Sequence, residues 1–125
     1  MEDKKVILAI DDNLQQLSEF KSMLVPQYDL RVVKSASEAI AYLYRNPSDI
    51  ILLDIEMPNI NGFEFFNDIR KIPSYIKTPI IIVSGNSGQE FMDQCNKYDA
   101  AGVLGKPVKP ENLIELIEKV IASKS

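Results

Sequence analysis

The chain has 125 residues, of which 46% are hydrophobic and 26% are charged, and this composition is typical of a folded globular protein and excludes a disordered one. Its formal net charge of −4 disfavours non-specific binding to nucleic acid, and the absence of histidine excludes histidine-based catalysis and the usual zinc sites. The single Cys95 excludes an internal disulfide, and the length predicts one domain over residues 1–125 with its core at about 5–122.

Short apolar runs alternate along the chain with segments of helical periodicity. The runs carry mostly Ile, Val, Leu or Ala, as strands covered on both faces do, whereas residues 28–33 alternate and are expected nearer a sheet edge. The helical segments repeat apolar residues every three to four positions and are bounded by signals such as Pro26, Asn61-Gly62 and Pro110. In chain order we predict strand 6–10, helix 14–24, strand 28–33, helix 38–43, strand 50–53, helix 63–69, strand 79–83, helix 91–95, strand 100–104 and helix 110–121.

Strict alternation of strands and helices predicts parallel strands with right-handed crossovers and helices on both faces of the sheet. The fold class is therefore α/β, a three-layer doubly wound (βα)5 domain whose five-stranded parallel sheet has the flavodoxin-like order 2-1-3-4-5. Ligands of such sheets bind beyond the carboxyl ends of the strands. The first apolar run is too short for a signal peptide or a membrane span, so we expect a cytoplasmic protein without membrane contact.

Polar and charged side chains stand at the carboxyl ends of four predicted strands. They are Asp11 and Asp12 after the first strand, Asp54 at the end of the third, Ser84 and Gly85 after the fourth, and Lys106 and Pro107 after the fifth. Because the ends of parallel strands share one rim, three carboxylates, a hydroxyl and an ammonium are expected to converge. Three close carboxylates need a cation, and Mg²⁺ is expected because it prefers hard oxygen ligands. A carboxylate beside Mg²⁺ can attack a phosphoryl group whose oxygens the hydroxyl and the ammonium bind.

Each of these residues alone also has an ordinary structural explanation. An acidic pair before a helix can be a cap, and a Ser-Gly step or a lysine at a turn is common. Their joint occurrence at successive strand ends favours the chemical interpretation. We assign no function to Asn61-Gly62, which is a turn signal, and we expect Phe63, Phe65, Phe66 and Cys95 to be core residues.

Over essentially its whole length, the chain resembles a receiver domain of the two-component response-regulator family. Five segments carry the resemblance. They are Ile-Asp-Asp at 10–12, Leu-Leu-Asp-Ile-Glu-Met-Pro at 52–58, Asn-Gly at 61–62, Pro-Ile-Ile-Ile-Val-Ser-Gly at 79–85 and Gly-Lys-Pro at 105–107.

The resemblance implies a phosphoacceptor and a metal site. Asp54 would take a phosphoryl group from a phosphohistidine on a histidine kinase or a histidine phosphotransfer protein. Asp12 and Asp54 would bind Mg²⁺ directly and Asp11 largely through water, and the backbone carbonyl of Glu56 would complete the protein ligands.

The resemblance also implies roles around the phosphoryl group. Lys106 would bind a phosphoryl oxygen, the Ser84 hydroxyl would move to the phosphate, and Pro107 would form a cis bond with Lys106 that aims the lysine inward. Two positions depart from the family pattern. Val103 stands at the position of the switch aromatic, Tyr or Phe in many members, which leaves the readout through this surface open. Asp99 stands where glycine is frequent, and we expect it to take a left-handed conformation.

The implied function is that of a receiver in phosphorelay signalling, which accepts and loses a phosphoryl group without being a turnover enzyme. It would change contacts with an unidentified downstream protein as a monomer or weak dimer, without binding nucleic acid directly. Two alternatives stay open: a phosphorylation-independent binding module of the same fold, and a receiver fragment of a hybrid kinase or multidomain regulator. A Mg²⁺-dependent phosphatase is less favoured, because Glu56 stands where such enzymes place a second aspartate.

Overall fold

The computed structural model describes residues 4–123, in which five strands alternate with five α-helices. The elements are β1 (Val6–Ile10), α1 (Leu14–Leu24), β2 (Asp29–Val33), α2 (Ala36–Arg45), β3 (Ile50–Asp54), α3 (Gly62–Arg70), a 3₁₀ turn (Pro73–Tyr75), β4 (Ile80–Ser84), α4 (Gln89–Lys97), β5 (Gly102–Gly105) and α5 (Pro110–Ser123). The outermost residues of the predicted domain, 1–3 and 124–125, lie outside the described range. Between residues 4 and 123, no helix is both long and apolar enough to span a membrane.

The five strands form one parallel sheet in the order β2-β1-β3-β4-β5, which confirms the predicted fold class and strand order. The alternating strand β2 lies at one edge, as expected from its pattern. The register sets Asp54 opposite Val83, and Ser84 opposite Gly105. The carboxyl ends of the neighbouring strands β3, β4 and β5 therefore lie side by side, with β1 on the other side of β3.

The core consists of two hydrophobic clusters, one on each face of the sheet. The larger cluster joins the sheet to α2, α3 and α4, and the smaller one joins it to α1 and α5. Strands β3 and β4 are buried at every position, which explains why their sequences are almost continuously apolar. The phenylalanines of α3 and Cys95 of α4 are buried in the larger cluster, as predicted.

Helix α4 ends in a hydrogen-bonded cap that delays the start of β5. The N–H of Asp99 donates to the carbonyl of Asn96 at 3.0 Å, and the N–H of Ala100 donates to the carbonyl of Cys95 at 3.2 Å, the pattern of a Schellman motif. Asp99 has a φ of 62°, so the predicted left-handed conformation is confirmed. Because Asp99 and Ala100 are committed to this cap, β5 begins at Gly102 rather than at residue 100.

We predict that Asp99→Ala lowers the free energy of unfolding by about 1 kcal/mol, because alanine pays the full steric cost of the left-handed conformation. Asp99→Asn should change it by less than about 0.5 kcal/mol, since asparagine tolerates this conformation. Urea unfolding of the two variants and the wild type measures both differences. Equal losses in both variants would instead assign the effect to the lost carboxylate charge.

Candidate functional site

A buried contact between a carboxylate and an ammonium group lies at the carboxyl edge of the sheet. Asp54, the last residue of β3, is 4% exposed, and the Nζ of Lys106 lies 3.3 Å from its Oδ1. The N–H of Glu56 donates to the same Oδ1 at 3.0 Å. Lys106 follows β5, its own N–H donates to the carbonyl of Ser84 at 2.9 Å, and its peptide bond to Pro107 is cis. Residues from three neighbouring strand ends thus hold Asp54.

Asp54 belongs to an acidic cluster with Asp11 and Asp12, whose carboxylate oxygens lie within 4.8 Å of one another. Asp12 is exposed, whereas Asp11 is 1% exposed. The Oδ1 of Asp11 accepts a hydrogen bond from the N–H of Asn13 at 2.9 Å. Its buried Oδ2 has no hydrogen-bond partner among residues 4–123, although the Nζ of Lys106 lies 3.9 Å away.

The environment of Asp11 favours a proton or a cation at this position. Burial, followed in size by the repulsion of the Asp54 carboxylate, raises the pKa of Asp11 from 3.8 to about 6, although the Asn13 N–H and the Lys106 ammonium act in the opposite direction. A divalent cation would give the unpartnered Oδ2 a positively charged neighbour and would offset the repulsion among the carboxylates. The three aspartates therefore fit a metal ion with hard oxygen ligands.

A hydrogen-bonded loop forms the side of the site next to β4. Ser84, the last residue of β4, is fully buried, and its Oγ accepts a hydrogen bond from the N–H of Asn86 at 2.9 Å. The hydroxyl proton of Ser84 therefore stays available for a further acceptor. The N–H of Gly85 donates to the Oε1 of Glu56 at 2.9 Å. Glu56 thus contributes its side chain as well as its backbone, whereas the sequence suggested only its carbonyl.

Val103 lies in a different part of the molecule from the acidic cluster's ligand atoms. It is half-buried on β5 and packs against the larger hydrophobic cluster. Together with Leu104, Lys109 and Leu116 it lines an open groove of about 340 Å³ between β5 and α5. An aromatic side chain at position 103 would occupy part of this space, so the departure from the family pattern leaves a groove on this face.

Helix α3 begins with a close backbone contact that the sequence did not predict. The Oδ1 of Asn61 accepts hydrogen bonds from the N–H groups of Phe63 and Glu64, so Asn61 is the N-cap. The next residue, Gly62, packs so tightly that a Cβ there would overlap the carbonyl oxygen of Ile55. The Asn-Gly pair indicates a turn, but nothing local to it reveals this contact with the residue that follows Asp54.

Related proteins are found for nearly the whole chain. Residues 7–118 match the family model described as the response regulator receiver domain. The hydrogenase transcriptional regulatory protein HoxA of Cupriavidus necator is 30% identical over 124 residues, which are 97% of this chain and 25% of HoxA. Protein PilH of Pseudomonas aeruginosa is 26% identical over 117 residues, which cover 93% of this chain and 97% of PilH.

Solved structures give the same result. The chemotaxis protein CheY4 of Vibrio cholerae superimposes with a TM-score of 0.87 and 28% sequence identity, over 94% of this chain and 98% of CheY4. The chain spans only 23% to 46% of the length of the first four curated relatives that it matches. Relatives of similar length and much longer ones therefore both contain this unit.

Proposed function

The chain belongs to the response regulator receiver domain family, and on this basis we propose that it is a phosphorylation switch with Asp54 as the phosphoacceptor. The observation that carries the proposal is the buried Asp54 carboxylate, whose Oδ1 lies 3.3 Å from the Lys106 ammonium inside a cluster of three carboxylates. The donor would be a phosphohistidine on a histidine kinase or a histidine phosphotransfer protein.

The side chains around Asp54 suit the transfer of a phosphoryl group. In the transfer, the N–P bond of the phosphohistidine breaks while an O–P bond to the Asp54 carboxylate forms, and the imidazole leaves with the electron pair of the broken bond. The Lys106 ammonium would balance the negative charge on the phosphoryl oxygens. The Ser84 hydroxyl, whose proton is free, would donate to one of these oxygens and couple phosphorylation to the position of the loop after β4.

The acidic cluster would hold Mg²⁺. Asp12, Asp54 and the backbone carbonyl of Glu56 would bind the ion directly and Asp11 largely through water, which is consistent with the exposure of Asp12 and the unpartnered Oδ2 of Asp11. When bound, Mg²⁺ supplies positive charge that offsets the repulsion between the carboxylates and an incoming phosphoryl group.

The output would be a change in protein contacts. Hydrolysis of the acyl phosphate would return Asp54 to its free form, so the chain would accept and lose one phosphoryl group rather than turn over an external ester. The downstream partner is unidentified, and the groove beside Val103 is the surface we would examine first for it. We further propose that the unit acts in the cytoplasm as a monomer or weak dimer and makes no direct contact with nucleic acid.

We predict that wild-type protein incubated with Mg²⁺ and a small acyl phosphate donor gains the mass of one phosphoryl group, and that Asp54→Asn gains none, because the amide cannot act as the nucleophile. Intact-mass spectrometry measures both. Asp68→Asn, which removes an exposed carboxylate on α3, is the matched control and should behave as wild type, and a chelator should prevent the gain.

A gain of equal size in Asp54→Asn would place the phosphoryl group elsewhere and contradict the proposal. No gain in wild type, with Mg²⁺ binding shown by calorimetry, would favour the phosphorylation-independent binding module. The groove beside Val103 would then be the first surface to test for a ligand.

A further inference from the structure

We propose that the carboxylate of Glu56 is a latch that occupies the backbone N–H of Gly85 and competes for it with the phosphoryl group on Asp54. The inference rests on the proposed function and concerns the regulation of the same site. It assigns to the Glu56 side chain a positioning role that is separate from the metal-binding role of its backbone carbonyl.

Glu56 connects the ends of two neighbouring strands across the site. Its N–H donates to the Oδ1 of Asp54 at 3.0 Å, while its Oε1 accepts from the N–H of Gly85 at 2.9 Å, a residue 29 positions later in the chain. The first contact fixes Glu56 to the end of β3, and the second fixes the loop of residues 85–88 after β4. A single residue therefore sets how far this loop lies from Asp54.

The N–H of Gly85 is the donor in this loop that an incoming phosphoryl oxygen would most readily use. The N–H groups of Asn86 and Gly88 are bonded within the loop, to the Oγ of Ser84 and the Oδ1 of Asn86, each at 2.9 Å. Gly85 follows directly after Ser84, and its N–H is instead held by a side chain that can rotate away. A phosphoryl group adds three acceptor oxygens beside Ser84, and these oxygens need donors.

The latch also brings a negative charge to the site. A carboxylate close to a phosphoryl group repels it, so Glu56 opposes phosphorylation both by its charge and by occupying the N–H of Gly85. Phosphorylation would displace the carboxylate and release the loop. The unphosphorylated conformation is thereby favoured, and the strength of the latch determines how much of the chain responds to a given donor.

The first test measures binding of beryllium fluoride, a phosphoryl mimic, in the presence of Mg²⁺. We expect Glu56→Ala to bind it about tenfold more tightly than wild type, which corresponds to about 1.4 kcal/mol. Glu56→Gln should lie between the two, because the amide oxygen still accepts from Gly85 but carries no charge. Glu64→Ala, which removes an exposed glutamate from the first turn of α3, is the matched control and should stay within twofold of wild type.

The second test follows the Gly85 amide by NMR in protein free of Mg²⁺ and beryllium fluoride. We expect its hydrogen exchange to be at least tenfold faster in Glu56→Ala than in wild type or Glu64→Ala, since the hydrogen bond is lost. An unchanged Gly85 amide overturns the latch, whatever the binding results. A released amide with no tighter binding of beryllium fluoride overturns the competition.

A failure of the proposed function is distinguishable from a failure of the latch. If no variant and no wild-type protein binds beryllium fluoride, the competition and the phosphoryl site are both overturned, and the Gly85 amide still reports whether the hydrogen bond exists. If wild type binds the mimic but the order of the three Glu56 variants is reversed, the phosphoryl site stands and the latch is overturned.

Discussion

Gly62→Ala is expected to lower the free energy of unfolding by about 3 kcal/mol, at the upper end of the range for overpacking. An alanine Cβ would overlap the carbonyl oxygen of Ile55 and lie 2.6 Å from its Cγ1. Ile55 cannot retreat cheaply, because its N–H donates to the carbonyl of Val83 at 3.2 Å and its neighbours in sequence, Asp54 and Glu56, are held in the site.

Helix propensity predicts the opposite sign for this substitution. Gly62 is the first residue of α3, and alanine is a better helix former than glycine by about 1 kcal/mol. Urea unfolding of Gly62→Ala therefore separates the two effects by sign. A variant that is as stable as wild type, or more stable, would contradict the close contact.

Two other glycines are graded controls. At Gly105 no atom of residues 4–123 lies within 4 Å of an added Cβ, so Gly105→Ala should change stability by less than about 0.5 kcal/mol. At Gly102 an added Cβ would lie 2.8 Å from the Cδ atoms of Leu116, a side-chain end that can move. We expect Gly102→Ala to fall between the other two variants.

Most of the architecture could be predicted because the signals are local. Apolar runs with polar residues at their ends identify buried strands, and strict alternation with helical segments implies the parallel, doubly wound sheet. Once the strands are parallel, their carboxyl ends must share an edge. The proximity of Asp54 to Lys106, at 3.3 Å, follows from that geometry although the two residues are far apart in sequence.

The contacts that the sequence did not reveal depend on backbone placement in three dimensions. Gly62 is constrained by the carbonyl of Ile55, and Glu56 by an N–H in another loop, and neither partner leaves a trace in local composition. The start of β5 was predicted two residues too early because the cap of α4 uses residues 99 and 100. The cis bond between Val25 and Pro26 was likewise not predicted, since Pro26 was interpreted only as a helix stop.

The second large effect concerns Asp11, whose burial makes metal-free stability depend on pH. Because the pKa of Asp11 is raised from 3.8 to about 6 in the folded chain, the protonated form stabilises the fold, a contribution that is fully present below pH 3.8 and lost as pH rises through about 6. The difference between these two pKa values corresponds to about 3 kcal/mol.

We therefore predict that, without metal, Asp11→Asn raises the free energy of unfolding by about 2 kcal/mol at pH 8 and by almost nothing at pH 4. The amide removes a buried charge at pH 8, at the cost of the contact with Lys106, whereas at pH 4 the wild-type carboxyl is already neutral. Urea unfolding in a chelator at several pH values measures the difference. Asp12→Asn, an exposed carboxylate one residue later, should give less than 1 kcal/mol at pH 8.

Adding Mg²⁺ should reverse the order of the two proteins. Wild type gains stability in proportion to the logarithm of the Mg²⁺ concentration above its dissociation constant, whereas Asp11→Asn, which lacks one carboxylate of the site, gains less. Because the ligands must be ionised, the apparent Mg²⁺ affinity of wild type should fall about tenfold per pH unit below pH 6. A wild-type affinity that is constant between pH 8 and pH 5 would contradict the participation of Asp11, and a pH-independent advantage of Asp11→Asn without metal would contradict the raised pKa. The same buried carboxylate thus destabilises the empty site at neutral pH and makes it bind a cation.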